Sequence, residues 1–378
     1  MRLKPIDTPE LIDQPLAAYP RPIITQVDAH EAEVIELFGD KAVRWFQAAV
    51  RNQVREALRL GFRSILVIQP TGTGKTISSA IILLDEQIRD ILEVKNRAIN
   101  VLFVSHRHRL LSQAEATYAN EEQINVITQT IGSDIPDNVI FDLVVFDEAH
   151  HEATLSFQMR LEAVSKAPMI GLTATPDRND GRLCKFDFFI EPITRQQAVE
   201  QGFLAETELH TYVDSPDRSH VDIVLDIIKW QYDQMGQEMI FCRTKEDGLK
   251  MLNGIRAMGY TAELLVDISE IELNKQLARF ETRKYQFAIS CMKLGEGVDV
   301  KGCEGIIIAR TLKSRGLLNQ MIGRGARPDS KCVVREIINP LAADNISALD
   351  IIGVAKMHNF YHKVRGEWRE HELTKQAA

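Results

Sequence analysis

The stretch Gln69–Thr76, which reads QPTGTGKT, limits what this chain can fold into more than any other. It follows Ile65–Ile68, a short continuous apolar run that is typical of a buried parallel strand. A helical pattern comes next, with one apolar face made of Ile77, Ala80, Ile81, Leu84, Ile88 and Ile91. A strand, a glycine loop and a helix start in this order predict a phosphate-binding loop. An incidental glycine turn before a core helix is the alternative.

Several positions of this stretch have predicted roles in such a loop. Gly72 and Gly74 allow backbone N–H groups to curl around an oxyanion at the helix N-terminus. Lys75 is predicted to reach the β- and γ-phosphates of a nucleotide, and the Thr76 hydroxyl to ligate Mg²⁺. Gln69 departs from the full pattern, which has glycine at this position. The loop residues expected to contact a nucleotide are Thr71, Gly72, Thr73, Gly74, Lys75 and Thr76.

The composition is that of an ordinary globular chain, with 45% hydrophobic and 26% charged residues among 378. This length predicts two or three domains. No run approaches the roughly 18 consecutive apolar residues of a membrane span, and the N-terminus lacks the apolar segment of a signal peptide. The five cysteines form no C-x-x-C pair, which favours a reducing intracellular compartment, expected to be the cytoplasm, over a zinc module. The net charge of −8 leaves the partner open.

Strand and helix patterns alternate after the loop, which predicts a parallel sheet with helices on both faces. In such sheets ligands bind at the carboxyl ends of the strands. The predicted strands of this first series are 100–105, 124–130, 142–146 and 169–172, and the predicted helices are 41–60, one from about 109 and one near 156–165.

Two polar clusters follow predicted strands of this series. Asp147 and Glu148 end the apolar run DLVVF. Beside a phosphate loop, Asp147 is expected to hold Mg²⁺ directly or through water, and Glu148 to act as general base on the attacking water; simple turn residues are the alternative. Thr173 and Thr175 lie in LTATP, which is interpreted either as a polar turn or as a relay between the nucleotide and a second ligand.

The predicted helix at 41–60 adds further candidates. Gln47 precedes the loop, and because a glutamine amide can pair with N6 and N7 of adenine, it is a candidate for selecting ATP. Four arginines fall on another face of this helix, which favours a solvated basic face over a nucleic-acid contact. They are Arg44, Arg51, Arg55 and Arg59.

A second alternating series follows a crossover at 191–220 and contains no glycine loop for phosphate. Its predicted strands are 239–242, 262–266, 287–291, 305–309 and 333–338, with helices at 247–258 and 270–282. On a helix, Gln320, Arg324 and Arg327 share a face. Arginines supplied across a cleft stabilise transferring phosphate, whereas an exposed basic helix is the simpler interpretation in isolation.

Four segments result from this pattern. Residues 1–34 are rich in proline, which favours an extended arm or a flexible tail. Residues 35–205 and 206–345 are the two predicted α/β domains, and residues 346–378 are predicted to form an amphipathic helix packed on the second domain, with partner binding as the alternative. The apolar face of this helix is Val354, Met357, Tyr361, Val364 and Trp368.

These stretches resemble the motifs of superfamily 2 helicases and translocases of the DEAD/DEAH type, in the family's order. They are QPTGTGKT (69–76), VSHRHRLL (104–111), TQT (128–130), DEAH (147–150), LTATP (172–176), IFCRTK (240–245), LGEGVDV (294–300) and QMIGRGAR (320–327). The resemblance implies two tandem RecA-like domains, each a mainly parallel sheet flanked by helices. ATP would lie in the cleft between them and a nucleic-acid strand across both. GLTATPDRNDG (171–181) is closer to the DNA-repair and restriction-enzyme branch, whereas Cys291 stands where relatives have threonine.

The same resemblance implies a role for each matching position. The implied contacts to ATP, beyond the loop, are Gln47, Gly297 and Asp299, and the implied Mg²⁺ ligands are Thr76 and Asp147. The implied catalytic residues are Asp147, Glu148, Gln320 and the arginine fingers Arg324 and Arg327. The implied nucleic-acid contacts are Ser105, Arg107, Thr130, Arg243 and Thr244, and the implied coupling residues are His150, Thr173 and Thr175.

The sequence therefore predicts an ATP-dependent DNA helicase or translocase, that is, an ATP hydrolase that DNA stimulates. We expect ATP and Mg²⁺ as cofactors, a monomer, DNA rather than RNA as partner, and a role such as DNA repair. A nucleotide-gated clamp that does not separate strands, and an RNA helicase, stay open as alternatives. A metabolic phosphate-transfer enzyme would have no use for LTATP or the second domain. The compact core would also suit a viral protein.

Overall fold

The computed structural model describes residues 37–38, 41–106, 108–119, 121–135, 139–150, 152–176, 184–213, 215, 217–291, 300, 302–311, 318–319, 321–323, 332–338, 347–348, 358–364 and 366–371. The chain divides into two units, residues 1–194 and 195–378. This division lies earlier in the chain than the predicted boundary after residue 205. The proline-rich segment 1–34 lies outside the described residues. None of the described helices has the length and apolar character needed to cross a membrane.

The first unit contains a six-stranded parallel sheet. The eight described strands of the unit, six of which form this sheet, are β1 (Leu37–Phe38), β2 (Lys41–Ala42), β3 (Ser64–Ile68), β4 (Ile99–Ser105), β5 (Ile124–Thr130), β6 (Leu143–Asp147), β7 (Met169–Thr173) and β8 (Phe188–Ile190). Its helices are α1 (Trp45–Arg59), α2 (Lys75–Leu84), α3 (Glu86–Ile91), α4 (His108–Tyr118) and α5 (Glu152–Val164). The sheet order is β5–β4–β6–β7–β3–β8, while β1 and β2 form a separate antiparallel pair. The strands predicted for the first series are confirmed to within about one residue at each end, and β8 was not predicted. The helix predicted from residue 41 begins at Trp45 instead, because Lys41–Ala42 forms β2.

Strand β3 shows why its sequence is a continuous apolar run. Ile65 and Val67 pack into one apolar cluster, and Leu66 and Ile68 pack into another. Because neighbouring side chains on a strand point to opposite faces, a strand covered on both faces needs an apolar residue at every position. The polar residues of this stretch therefore lie at the ends of β3, and the candidate site begins where the strand ends.

The helical segment after the loop is interrupted at Asp85. The Asp85 backbone is extended, and its side chain accepts a hydrogen bond of 2.8 Å from Ile88 N, which caps α3. Arg55 also pairs with the Asp85 carboxylate, and Arg51 Nε lies 3.5 Å from it. The prediction of one helical face running through to Ile91 is therefore wrong at this point. Arg51 and Arg55 are in ion pairs rather than on a fully solvated face.

The second unit contains an eight-stranded sheet. Its strands are β9 (Thr207–Val213), β10 (Glu238–Cys242), β11 (Ala262–Leu264), β12 (Phe287–Ser290), β13 (Gly305–Ala309), β14 (Cys332–Ile338), β15 (His358–Val364) and β16 (Glu367–His371). Its helices are α6 (Arg195–Glu200), α7 (His220–Gln231), α8 (Lys245–Ala257) and α9 (Glu270–Glu281), with a short 3₁₀ turn at Tyr232–Gln234. The order is β11–β12–β10–β13–β14–β9–β15–β16, and only the β15–β16 pair is antiparallel.

The predicted strands and helices of the second series are confirmed, but three elements were missed. Helix α6 lies inside the stretch interpreted as a crossover. Strand β9 lies inside the stretch interpreted as a crossover, and α7 begins at its end. The sequence contained a start signal for α7, because serine at position 219 is a residue type that often caps a helix N-terminus. In the structure Ser219 accepts a hydrogen bond of 3.1 Å from Asp222 N. The alternating TELHTYV of β9 was the corresponding strand signal.

The predicted C-terminal amphipathic helix is wrong for residues 358–371, which form the β15–β16 hairpin. Tyr361 is buried and stacks on Tyr212 of β9 with ring centroids 4.9 Å apart. Gly366, directly before β16, has a φ of 87°, in the region that favours glycine. The spacing of Tyr361, Val364 and Trp368 fitted a helix, but pairing with β9 outweighs it. Val354 and Met357 lie outside the described residues.

A buried ion pair crosses strand β13 in the second sheet. Arg335 Nη1 lies 2.9 Å and 3.0 Å from the two carboxylate oxygens of Glu238, and each residue is 1% exposed. Gly305 stands between these strands, in register with Glu238. A Cβ at position 305 would lie 2.2 Å from a Glu238 carboxylate oxygen, so only glycine leaves room for the pair.

Gly305→Ala should therefore destabilise the second unit. The added methyl group forces the Glu238 carboxylate away from Arg335, and we expect a loss of roughly 2–4 kcal/mol in the free energy of unfolding. Urea unfolding measures this change. Gly132→Ala is the matched control, because a Cβ there meets nothing within 4 Å. Equal stability of the two variants would contradict the proposed role of Gly305.

Candidate nucleotide site

The phosphate loop (residues 69–76) is held in a turn that leaves its backbone curled. Gly72 and Gly74 have φ values of 89° and 88°, in the region that favours glycine. The Thr73 side chain is buried and donates a hydrogen bond of 2.7 Å to Pro70 O. Helix α2 begins at Lys75, directly after Gly74. The loop thus places the N-terminus of a helix at the carboxyl end of β3, which is the arrangement that binds phosphate.

Gln47 of α1 stabilises this loop through hydrogen bonds to its backbone. Its side chain is 1% exposed, and Nε2 lies 3.1 Å from Thr73 O and 3.3 Å from Gly74 O. Its Oε1 accepts a hydrogen bond of 2.9 Å from Arg44 N. A Cβ on residue 74 would lie 2.7 Å from Gln47 Nε2, so the close approach requires glycine. Both ends of the amide are therefore engaged by the backbone, and contact with adenine stays a prediction.

Three charged side chains meet beside the loop. Asp147 ends β6 and Glu148 follows it with a φ of 53°, which is unusual for a residue other than glycine. Glu148 Oε1 lies 3.9 Å from Lys75 Nζ, and both side chains are largely buried. The loop lysine and the predicted general base are thus paired at this edge of the sheet, and their roles stay predictions.

The charge state of Asp147 reflects its surroundings. Burial, with a smaller contribution from the neighbouring Glu148, raises the pKa of Asp147 to about 7, although Lys75 opposes the shift. A divalent cation would stabilise the ionised form of such a carboxylate. Thr71 Oγ1 is also buried and has no hydrogen-bond partner among the described residues. The donor set of the loop, Lys75, Thr76 and Asp147 fits a magnesium-bound nucleotide.

A chain of hydrogen bonds links the ends of β3, β6 and β7. His150 Nδ1 lies 3.1 Å from Thr173 Oγ1 and 3.4 Å from Glu148 Oε2. The Thr173 hydroxyl donates a hydrogen bond of 2.6 Å to Thr175 O. Gln69 N donates to Thr173 O at 2.8 Å. The structure therefore brings the three predicted coupling residues together beside the predicted base, while their coupling role stays a prediction.

Two protein families match this chain. Residues 219–329 match the helicase conserved C-terminal domain. Residues 40–135 and 121–178 match the family described as type III restriction enzyme, res subunit. The helicase C-terminal match therefore falls in the second unit. The restriction-enzyme match falls in the first unit and includes the phosphate loop and the carboxylates at the end of β6.

Individual proteins agree with these families. The chain is 25% identical over 379 residues to a Schizosaccharomyces pombe protein named as a mitochondrial ATP-dependent helicase, irc3, covering 85% of this chain and 62% of that protein. It is 24% identical over 395 residues to the type I restriction enzyme EcoAI endonuclease subunit of Escherichia coli, covering 82% of this chain and 46% of that protein. A solved fragment from Vibrio vulnificus YJ016, named as an HsdR subunit of a type I restriction enzyme, superposes with a TM-score of 0.66 at 19% identity. The match covers 86% of this chain and 70% of the fragment.

The chain is similar to the superfamily 2 helicases, as the two family matches and the relatives indicate. It is related to the DNA-repair and restriction branches of that superfamily, and its two units have the tandem RecA-like fold. The chain spans roughly half to three-fifths of the length of the two curated relatives.

The predicted nucleic-acid contacts of this chain differ in their exposure. Ser105 is fully buried, and its hydroxyl has no hydrogen-bond partner among the described residues. Thr130 Oγ1 shares a hydrogen bond of 2.7 Å with Ser133. The Arg243 side chain is 70% exposed, whereas Thr244 caps α8 by accepting from Asp247 N at 3.1 Å. Of these four, Arg243 and Thr244 are exposed to solvent, and all four roles stay predictions.

Cys291 directly follows β12 in the second unit. Its Sγ lies 3.1 Å from Cys242 Sγ at the end of the neighbouring strand, and both thiols are buried. Burial raises the pKa of both thiols. The thiol therefore faces the core of the second unit.

Six predicted site residues lie outside the described residues. They are Arg107, Gly297, Asp299, Gln320, Arg324 and Arg327. Their assignments to nucleic acid, nucleotide and catalysis stay predictions.

We expect Gln47→Ala to weaken ATP and GTP binding by about the same factor, roughly tenfold. The variant removes two hydrogen bonds that hold the loop carbonyls, so any nucleotide that uses the loop is affected. Fluorescence titration with labelled ATP and GTP measures both affinities. Gln53→Ala, in the same helix, is the control and should bind both nucleotides as the unmodified chain does. A loss confined to ATP would show that Gln47 reads adenine rather than positioning the loop.

Proposed function

We propose that this chain is a motor that hydrolyses ATP and uses the cycle to move along or remodel DNA. The observation that carries the proposal is the pairing of Lys75 with Glu148 at the carboxyl edge of the first sheet, beside a loop shaped for phosphate. These groups come from α2 and the end of β6, and parallel strands bring them to one edge.

The residues of the first unit divide the reaction between them. The loop amides and Lys75 bind the phosphates, and as Lys75 turns toward phosphate its attraction for Glu148 weakens. Glu148 then accepts the proton of the attacking water. Thr76 and Asp147 would hold the Mg²⁺ ion, which neutralises charge that develops on the phosphates. His150 and Thr173, hydrogen-bonded at the neighbouring strand ends, would sense the change at Glu148.

The second unit would contribute the remaining groups. Arg324 and Arg327 are proposed to stabilise the transferring phosphate, and Gln320 to act with them. Exposed Arg243 is the proposed contact to a phosphate of the nucleic-acid backbone. Such contacts bind any sequence, so affinity should fall as salt rises.

DNA is the proposed partner because restriction enzymes and their subunits recur among the matched families and relatives. The solved structures with similar folds also include a restriction-modification enzyme bound to DNA and a DEAD-box helicase bound to single-stranded RNA. RNA is therefore an arm of the test. A monomeric state, an intracellular location and a role in DNA repair belong to the same proposal.

The proposal predicts ATP turnover that DNA stimulates and that depends on Glu148. Side-by-side assays with single-stranded DNA, forked DNA, RNA and no nucleic acid should show the largest rates with DNA. Glu148→Gln keeps the size of the side chain but removes the base, so turnover with DNA should fall about 10²–10⁴-fold. Nucleotide affinity should change far less, because the loop and Lys75 are intact.

Glu122→Gln is the matched control, since Glu122 is an exposed carboxylate distant in sequence from the loop. Full DNA-stimulated turnover by Glu148→Gln would overturn the catalytic assignment. Stimulation by RNA alone would make the chain an RNA helicase. Stimulated hydrolysis with neither strand displacement nor translocation would favour the nucleotide-gated clamp.

A further inference from the structure

A buried chain of hydrogen bonds connects α4 to the first turn of α2. Ser79 Oγ donates to Thr76 O at 2.8 Å, and Ser79 Oγ and Tyr118 Oη lie 2.7 Å apart. A serine hydroxyl has a single proton. Because Ser79 uses that proton on Thr76 O, Tyr118 must be the donor to Ser79 Oγ. The chain therefore runs from Tyr118 through Ser79 to Thr76.

The surroundings hold Tyr118 in this role. Tyr118 and Ser79 are each 1% exposed, and the Tyr118 ring packs 6.2 Å from the ring of Phe103. Burial raises the pKa of the Tyr118 hydroxyl above its usual range, so the phenol stays protonated and remains a donor. A buried hydroxyl without its partner costs more free energy than an exposed one, which favours keeping this contact intact.

The two ends of the chain belong to segments with different predicted roles. Thr76 lies in the phosphate loop and is a predicted Mg²⁺ ligand. Tyr118 is the last residue of α4, the helix that follows the Ser105 end of β4. Helix α4 also contacts β5, where Thr128 Oγ1 donates a hydrogen bond of 2.5 Å to Glu115. Strands β4 and β5 end at Ser105 and Thr130, the predicted nucleic-acid segment.

We propose that the Tyr118 hydroxyl is a positioning group that couples the nucleic-acid segment to the phosphate loop. A shift of α4 on nucleic-acid binding would be transmitted through Ser79 to the backbone of Thr76. This inference rests on the proposed function, because it concerns how nucleic acid stimulates ATP turnover. Tyr118 touches neither nucleotide nor nucleic acid in this account, and it acts only through Ser79.

Tyr118→Phe tests this coupling, because it removes one hydroxyl and leaves the ring. We expect DNA-stimulated turnover to fall about fivefold, which is the change in rate that corresponds to the free energy of one buried hydrogen bond. Turnover without DNA and the ATP dissociation constant should stay close to those of the unmodified chain, since Gln47 still holds the loop. The melting temperature should fall by no more than a few degrees, because one buried hydrogen bond is lost. Ser79→Ala should give the same loss, and the double variant should lose no more than either single variant.

Tyr285→Phe is the matched control. Tyr285 is 2% exposed in the second unit, and its hydroxyl donates a hydrogen bond of 3.0 Å to Gln276 O. Its loss should leave the ratio of stimulated to basal turnover unchanged. If Tyr118→Phe lowers basal and stimulated turnover by the same factor, the hydroxyl has a structural role and the inference is overturned. Stimulated turnover equal to that of the unmodified chain would also overturn it. If the unmodified chain shows no stimulation, the proposed function itself fails and the inference falls with it.

Discussion

The candidate site depends on a balance of buried charge at the carboxyl edge of the first sheet. Placing Asp147 and Glu148 side by side away from water is unfavourable, and the raised pKa of Asp147 reflects this cost. Lys75 offsets part of it from 3.9 Å away. The fold tolerates this arrangement because β6 and the phosphate loop end at the same edge. A site with this charge distribution is arranged for a cation and a polyphosphate to complete it.

The two units use buried charge in different places. In the first unit the charged groups gather where strands end, and the loop and coupling residues surround them. In the second unit, Glu238 and Arg335 pair inside the sheet, and Glu238 is the first residue of β10. A buried pair of this kind adds little net stability, but removing one partner leaves an uncompensated charge. The pair therefore selects one arrangement of β10, β13 and β14, with Gly305 providing the space.

The sheets and the loop could be predicted from the sequence because their signals are local. A run such as Ile65–Ile68 is buried on both faces wherever it lies, and the glycines of the loop have few other uses. The hairpin at 358–371 could not be predicted so directly, since the spacing of Tyr361 and Trp368 also fits a helix. Its conformation depends on β9, which is far away in the sequence.

Within the site, residue types were predictable but their partners were not. Gln47 was identified as a nucleotide contact, yet a glutamine amide can bind either a base or a backbone, and the fold decides which. The Ser79–Tyr118 contact joins residues 39 positions apart, and neither residue stands out in its own segment. Contacts of this kind emerge only once α2 and α4 pack against the same sheet.

Amide hydrogen exchange with and without Mg²⁺ and a non-hydrolysable ATP analogue tests the central claim most directly. The account predicts slower exchange in residues 69–79 and 147–150 when the nucleotide is present, because both segments line one site in the first unit. Unchanged exchange in both segments, with protection confined to other parts of the chain, would contradict it.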